Sequence, residues 1–318
     1  MDDEDHFNLA YTSSFTPEQH SNSLTSGNYQ ASNVDKYVET RMHNVTLQYH
    51  SGSGFDVGGD YTHYTSDNNQ TLFADYADGA QSGFSIIGGQ KIDRYSKTYD
   101  KVTGDIPTEN TDSRLREQTA NVYVSLSKNY ATGTSVSISA TGEYYTIGNY
   151  RKWAVYPQAS LTYVKSSEHL FQFSLSTDKT YPGYWDMQSS VSHLNGYTEL
   201  WGTPGLKPST AYNLNGNYIW KQKYIFGLFF MHTSDFFVQT GYQSTDRLAL
   251  IYKNTNWNYM QMWGTNVILP FKAGNWMDSR LTLVGMQVHQ RCDDFFDIPF
   301  NRRKWMFNSS LDNTFKIG

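Results

Sequence analysis

The sequence predicts an all-β chain, an antiparallel up-and-down transmembrane β-barrel of about 14 strands, where barrels with a plugged lumen have about 22. Three observations predict it. Apolar residues recur at every second position, short turns alternate with long polar connections, and aromatic residues gather where strands meet turns. The composition agrees: aromatic residues make up 16% of the 318 positions and charged residues only 17%. Mean hydropathy is low all the same, because only alternate residues of such a wall face lipid.

Period-two alternation is cleanest at Val136, Ile138, Ala140, Gly142 and Tyr144, set against Ser135, Ser137, Ser139, Thr141 and Glu143. It recurs as Val122, Val124 and Leu126 against Asn121, Ser125 and Ser127. A third case is Tyr212, Leu214, Gly216, Tyr218 and Trp220 against Asn213, Asn215 and Asn217, the asparagines facing a hydrated lumen or a plug. A soluble sandwich strand alternates in the same way, so the connections carry the decision.

Short connections are expected at Ser51 to Gly54, Lys128 to Thr134, Lys165 to His169, Lys221 to Lys223 and Pro270 to Asn275. Long ones are expected at Thr65 to Ser113, Ile147 to Lys152, Asp178 to Ser209, Thr240 to Asn256 and Gln290 to Asn301. A meander with short turns at one end and long loops at the other has the asymmetry of bacterial outer-membrane barrels. Tyr224 to Val238 and Trp276 to His289 read as single long strands, suited to a tilted span of about 9 to 11 residues plus an extension. Trp220 and Tyr224 flank one short turn, and Phe271 and Trp276 another, as rings at headgroup depth would.

Other classes are excluded or disfavoured. A net charge of −5 argues against nucleic-acid binding. One cysteine, Cys292, rules out an internal disulfide framework. The longest strongly apolar run, Ile225 to Met231, is far short of the roughly 20 residues of a membrane helix. Met1 to His6 has neither a basic nor an apolar stretch, so no secretory leader is expected, and the chain reads as cytosolic or as an excised piece.

Asp293 and Asp294, with His289, Cys292 and Asp297, read as solvated loop residues and not as a metal site, because ligand sets converge from several elements. No G-x-S-x-G elbow occurs, and Gly88-Gly89 precedes no helical pattern, so neither catalysis nor a cofactor is expected. The aromatic residues of the long loops, Tyr181, Tyr184, Trp185, Tyr197, Trp201 and Trp257, are the candidate ligand-stacking positions. Packing over the barrel mouth is the competing role for them.

The stretch Gly202-Thr203-Pro204-Gly205-Leu206-Lys207-Pro208 resembles the G-N-P-x-L-K-P-E segment that precedes a barrel strand in TonB-dependent outer-membrane receptors, with Thr203 and Ser209 departing from Asn and Glu. Ser176 to Asp186 is similar to the R-P-x-Y-x-D-L region of the same receptors, especially the Bacteroidetes outer-membrane β-barrel family. Tyr252-Lys253-Asn254-Thr255-Asn256 fills the place of that family's strand start after a variable loop. The resemblance is specific from Thr177 to Thr255; elsewhere the chain fits by alternation.

The resemblance implies one domain over residues 1–318, an outer-membrane barrel fragment lacking the plug and terminal strands. It implies transport of a scarce nutrient, of unspecified small-molecule, peptide or glycan class. Outer-membrane lipid would surround the wall, and a plug domain and a TonB-type energising complex would be the partners at full length. Ile92 to Ser96 running into Lys97 to Lys101 resembles the start and end of two strands with a hairpin lost between them. The alternative is a soluble, secreted all-β glycan-binding module, although no blade-length repeat is present.

Overall fold

The computed structural model describes residues 5–24, 31–75, 108–183, 186–187, 191–195, 198–244, 250–296 and 298–316. Among the described residues the strands are β1 (His6–Leu24), β2 (Ala31–Ser51), β3 (Phe55–Asp75), β4 (Thr108–Asn129), β5 (Ser135–Ile147), β6 (Tyr150–Ser166), β7 (His169–Thr180), β8 (Val191–Asn195), β9 (Thr198–Trp201), β10 (Ser209–Trp220), β11 (Tyr224–Ser234), β12 (Phe237–Gln243), β13 (Leu250–Asn256), β14 (Tyr259–Ala273), β15 (Met277–Cys292) and β16 (Phe300–Phe315). Twelve form one antiparallel meander, ordered β1-β2-β3-β4-β5-β6-β7-β10-β11-β14-β15-β16. The other four make a small sheet ordered β12-β13-β9-β8.

The register lines up the apolar residues into rows that cross the wall. Tyr163, Phe171, Tyr218 and Phe226 stand side by side on four neighbouring strands, with successive ring centroids 6.2, 4.9 and 6.1 Å apart. The next row holds Leu161, Phe173, Gly216, Leu228 and Thr265. Among the described residues this outward side of the wall is largely uncovered: Trp153 is 79% exposed, Leu228 70% and Phe307 81%. In water so continuous an apolar face would drive aggregation. In hydrocarbon it is the solvated face, while the ladder satisfies the backbone groups.

The apolar rows end on polar residues at the side away from the short turns. His43 follows Tyr49, Leu47 and Val45; His63 follows Val57 and Tyr61; His232 follows Phe226, Leu228 and Phe230. At a tilt of about 40°, outward runs of seven to nine residues span roughly 20 Å, close to the height of a membrane barrel's apolar band.

The opposite face is mostly polar, with an apolar patch on three strands. On β5, β7 and β10 it carries Ser137, Ser139, Gln172, Ser174, Ser176, Asn213, Asn215 and Asn217. On β11, β14 and β15 it carries an apolar patch of Phe229, Met231, Met262, Met286 and Val288 beside Asn266 and Thr282, and on β16 Met306 stands among Arg302, Lys304, Asn308, Ser310 and Asp312. A side chain on Gly264 would meet Phe229 Cζ at 2.7 Å and Met286 Cβ at 2.8 Å, so these two groups stand on that same face.

Several expectations are corrected. Ile147 to Lys152 is no long loop but a tight turn through Gly148 and Asn149, made possible by the left-handed backbone at Gly148 (φ 55). Tyr224 to Val238 is not one strand: Asp235 turns left-handed at φ 49 and diverts the chain into β12 of the small sheet. The Thr65 to Ser113 connection is partly strand, since β3 continues to Asp75 and β4 begins at Thr108. Among the described residues twelve strands make the wall, against about 14 expected, and four more, β8, β9, β12 and β13, lie in or beside the Asp178 to Ser209 and Thr240 to Asn256 connections. Pairing is not wholly antiparallel, for β13 and β9 run parallel. Gly88-Gly89 and the Ile92 to Lys101 stretch lie outside the described residues.

Candidate functional site

The long connections meet at the end of the wall opposite the short turns, which in outer-membrane barrels faces outside. There Tyr145 and Ile147 of β5 pack with Met187 and Leu206, and Leu115, Tyr150, Tyr181 and Phe237 close around them. This apolar nucleus joins the wall to the loops, and it sits beside a fork between β6 and β7. The Pro157 carbonyl accepts the Thr177 hydroxyl at 2.7 Å, so it points towards β7. An amide hydrogen at that residue would point the same way, and proline has none. The β6–β7 ladder accordingly runs only from Ala159 to Ser166.

Glu143 lies at this fork with 2% of its surface exposed. Its carboxylate accepts the Tyr156 hydroxyl at 3.0 Å and the Tyr181 hydroxyl at 2.8 Å, and it is ion-paired to Lys179. The Lys179 ammonium also stands 4.5 Å from the Tyr156 ring centroid and 5.9 Å from that of Tyr181. Burial is tolerable because charge and lone pairs are matched. Desolvation first, and then the Glu143 charge, push the Tyr181 phenol above its ordinary range and keep it a donor.

A second tie is built from three asparagines at alternate positions. Asn254 Nδ2 donates to Asp186 Oδ1 at 2.8 Å, and the Asn254 carbonyl accepts the Thr203 hydroxyl at 2.7 Å. Asn256 Nδ2 donates to the carbonyls of Lys207 (3.0 Å) and Asp235 (2.8 Å), while its Oδ1 accepts the Lys207 amide at 2.8 Å. Asn258 Oδ1 accepts the Asp293 amide at 2.7 Å, and its Nδ2 donates to Asp293 Oδ2 at 2.8 Å. One short stretch thus clasps segments from four connections. Arg291 completes the Asp293 end, and its hydrogen bonds hold that carboxyl below the usual range.

The candidate stacking residues fall into two groups. Tyr181 is committed to Glu143, and Trp257 is boxed by Phe236, Phe295 and Phe300 at 5.6, 6.3 and 4.9 Å. Trp201 is half-buried at the end of β9, opposite Val191 and Lys253. The structure brings Tyr181 into the nucleus with Met187 and Leu206 but holds Trp257 in a separate box. Tyr184, Trp185 and Tyr197 lie outside the described residues, as does Asp297. His289 Nε2 donates to Asn301 Oδ1 at 2.6 Å and the ring stands edge-on to Tyr259, and Cys292 is buried.

Sequence reasoning missed Glu143, Lys179 and the asparagine clasp. The signal for Glu143 was present, since it is the acidic residue in a row otherwise made of serines and threonines. Thr203, where the chain departs from the receptor-like pattern, still makes the tie through its hydroxyl.

The model for the outer membrane protein beta-barrel family matches residues 107–318. Among solved structures, the fold resembles the copper transporter OprC with a TM-score of 0.53 at 8% identity, covering 98% of this chain and 54% of that one. It is also similar to the siderophore receptor PirA from Pseudomonas aeruginosa, with a TM-score of 0.43, 9% identity, and coverage of 98% and 59%. For the ferric yersiniabactin uptake receptor FyuA from Yersinia pestis the TM-score is 0.45 at 11% identity, with 98% and 51% covered. The chain spans about half the length of these structures. No curated protein matches it.

Proposed function

We propose, from the premise that this chain belongs to the outer membrane protein beta-barrel family, that it forms wall and outer loops of a TonB-dependent receptor importing a scarce nutrient across the bacterial outer membrane. The observation that carries the reading is the apolar patch on the inner face. A water-filled pore is lined by polar groups throughout. Here the lumenal side of β11, β14 and β15 carries an apolar patch of half-buried Phe229, Met231, Met262, Met286 and Val288, bordered by the polar inner positions of β10 and β16, a patch that suits a packed protein domain, with methionine able to fit an irregular partner. A plug held by this wall and displaced by an energising complex fits it.

On this reading the outer loops select the cargo, with Trp201 and the residues around Tyr184, Trp185 and Tyr197 as first contacts, and the chain makes and breaks no covalent bonds. Tyr181 and Trp257 act by holding the loops in place. The test is competitive growth of cells lacking the full-length gene, cells lacking the energising complex and cells lacking both, each limited in turn for iron chelates, copper, peptides or oligosaccharides. The reading expects one nutrient on which all three strains fail equally. Normal growth of the gene-deleted strain on every nutrient, with the protein recovered from the medium on a glycan resin, favours the secreted glycan-binding module.

A further inference from the structure

We propose that the outer face of β7, β10 and β11 holds an anionic glycerophospholipid of the periplasmic leaflet, its acyl chain in the notch at Gly216 and its phosphate at Lys221. The notch has a volume of about 310 Å³ and is lined by Leu161, Phe171, Phe173, Tyr218, Phe226 and Leu228. It exists because Gly216 interrupts a row of large residues, and a Cβ built there has no atom within 4 Å. Below it the Phe171, Tyr218 and Phe226 rings form a shelf that leads to Trp220 and Tyr224, whose centroids are 5.2 Å apart. The distance along the strand from Gly216 to Lys221 is roughly 17 Å, the reach of an extended acyl chain.

The turn at the foot of the notch supplies the complementary charge. Lys221 stands 5.0 Å from the Trp220 centroid, on the outer face. Lys221 and Lys223 belong to this turn, and Lys165, Glu168 and His169 to the turn beside it, giving an excess of positive charge at headgroup depth. The two turns are fastened together: the Lys221 amide donates to the Glu168 carbonyl at 2.7 Å, and Gln222 Nε2 to the Ser167 carbonyl at 3.1 Å. Lys221 and Gln222 are both left-handed, at φ 52 and 53, at the centre of a turn closed by the Lys223 amide on the Trp220 carbonyl, positions that ordinarily take Asn and Gly. A strained position occupied by lysine marks a side chain kept for its own sake. Attraction to an anionic headgroup is worth about a fivefold change in binding per lysine near the surface.

The inference rests on the membrane setting of the wall and not on the import reading, so either can fail alone. The test is native mass spectrometry of the whole chain, refolded in mild detergent, with equal phosphatidylglycerol and phosphatidylethanolamine. One phosphatidylglycerol should be retained in preference, by about fivefold or more. Lys221→Asn, which suits the left-handed backbone, should be at least as stable to urea yet lose that preference by about fivefold. Gly216→Val should fill the notch and reduce both adducts together, leaving their ratio and the fold unchanged. Equal retention of the two lipids by the unsubstituted chain, a preference that survives Lys221→Asn, or adducts indifferent to Gly216→Val would each overturn the proposal.

Discussion

The Tyr181 hydroxyl donates to Glu143 Oε2 at 2.8 Å, so the first residue beyond β7 is tied to a strand two places along the wall. The bond sits where Pro157 ends the β6–β7 ladder, and side chains there take over from the backbone. Loop position is therefore set by a buried carboxylate and not by the sheet.

Removing members of this network should have graded costs. Tyr181→Phe loses one hydrogen bond to a charged group, about 1.5–3 kcal/mol. Glu143→Ala leaves Lys179 without its counter-ion and both phenols without an acceptor, and should cost about 3–5 kcal/mol. Urea unfolding of the refolded chain in micelles measures both, and equal small effects would show the network to be solvated.

The Tyr181 phenol gives a pH dependence of definite sign. Its folded pKa is raised, so its contribution is fully present below the unfolded value of about 10 and is lost as pH rises through the folded one. Loop attachment should therefore weaken only under strongly alkaline conditions. Protease cutting within the Asp178 to Ser209 connection, followed from pH 7 to 11, should stay constant to about pH 10 and then rise. Tyr181→Phe should raise cutting at neutral pH and reduce that rise, leaving the part due to Tyr156, which shares the Glu143 carboxylate.

Asn256 makes three hydrogen bonds to the backbone of Lys207 and Asp235. Asn256→Ala should cost about 2–3 kcal/mol locally and raise amide exchange at Lys207 and in β12 while leaving β10 and β11 protected. Asn256→Asp should be as harmful, because a carboxylate would face the two carbonyls. Unchanged exchange at Lys207 would remove the asparagine from the account.

How much of this was legible follows from what alternation encodes. Val136 to Tyr144 and Tyr212 to Trp220 read as strands because lipid on one side and lumen on the other impose period two. The short turns were equally clear from their polar residues and flanking aromatics. The Asp235 break was hidden because Phe236, Phe237 and Val238 continue the β pattern while the chain changes sheets. Gly148 was overlooked since a two-residue turn at the long-loop end ran against the expected asymmetry. Glu143, Lys179 and Asn256 became partners only through tertiary approach, across separations that strand periodicity does not record.

The outward face makes a further demand on depth. Leu228→Arg places a charge in the middle of the apolar band and should cost about 2–4 kcal/mol, whereas arginine at His232, on the polar margin, should cost about 0–1 kcal/mol. Refolding yield and urea stability in bilayers measure the difference. Equal penalties would mean that the two positions share one environment.

The central claim, that the apolar rows face acyl chains, is tested most directly by spin labels on neighbouring strands. With Cys292 replaced by serine, labels are placed at Leu228 and Asn215 in bilayers, and their collision with oxygen and with a water-soluble nickel chelate is compared. The account predicts a Leu228 label open to oxygen and closed to nickel, and an Asn215 label shielded from lipid-dissolved oxygen. A Leu228 label reached freely by nickel, or closed to both reagents, would contradict it.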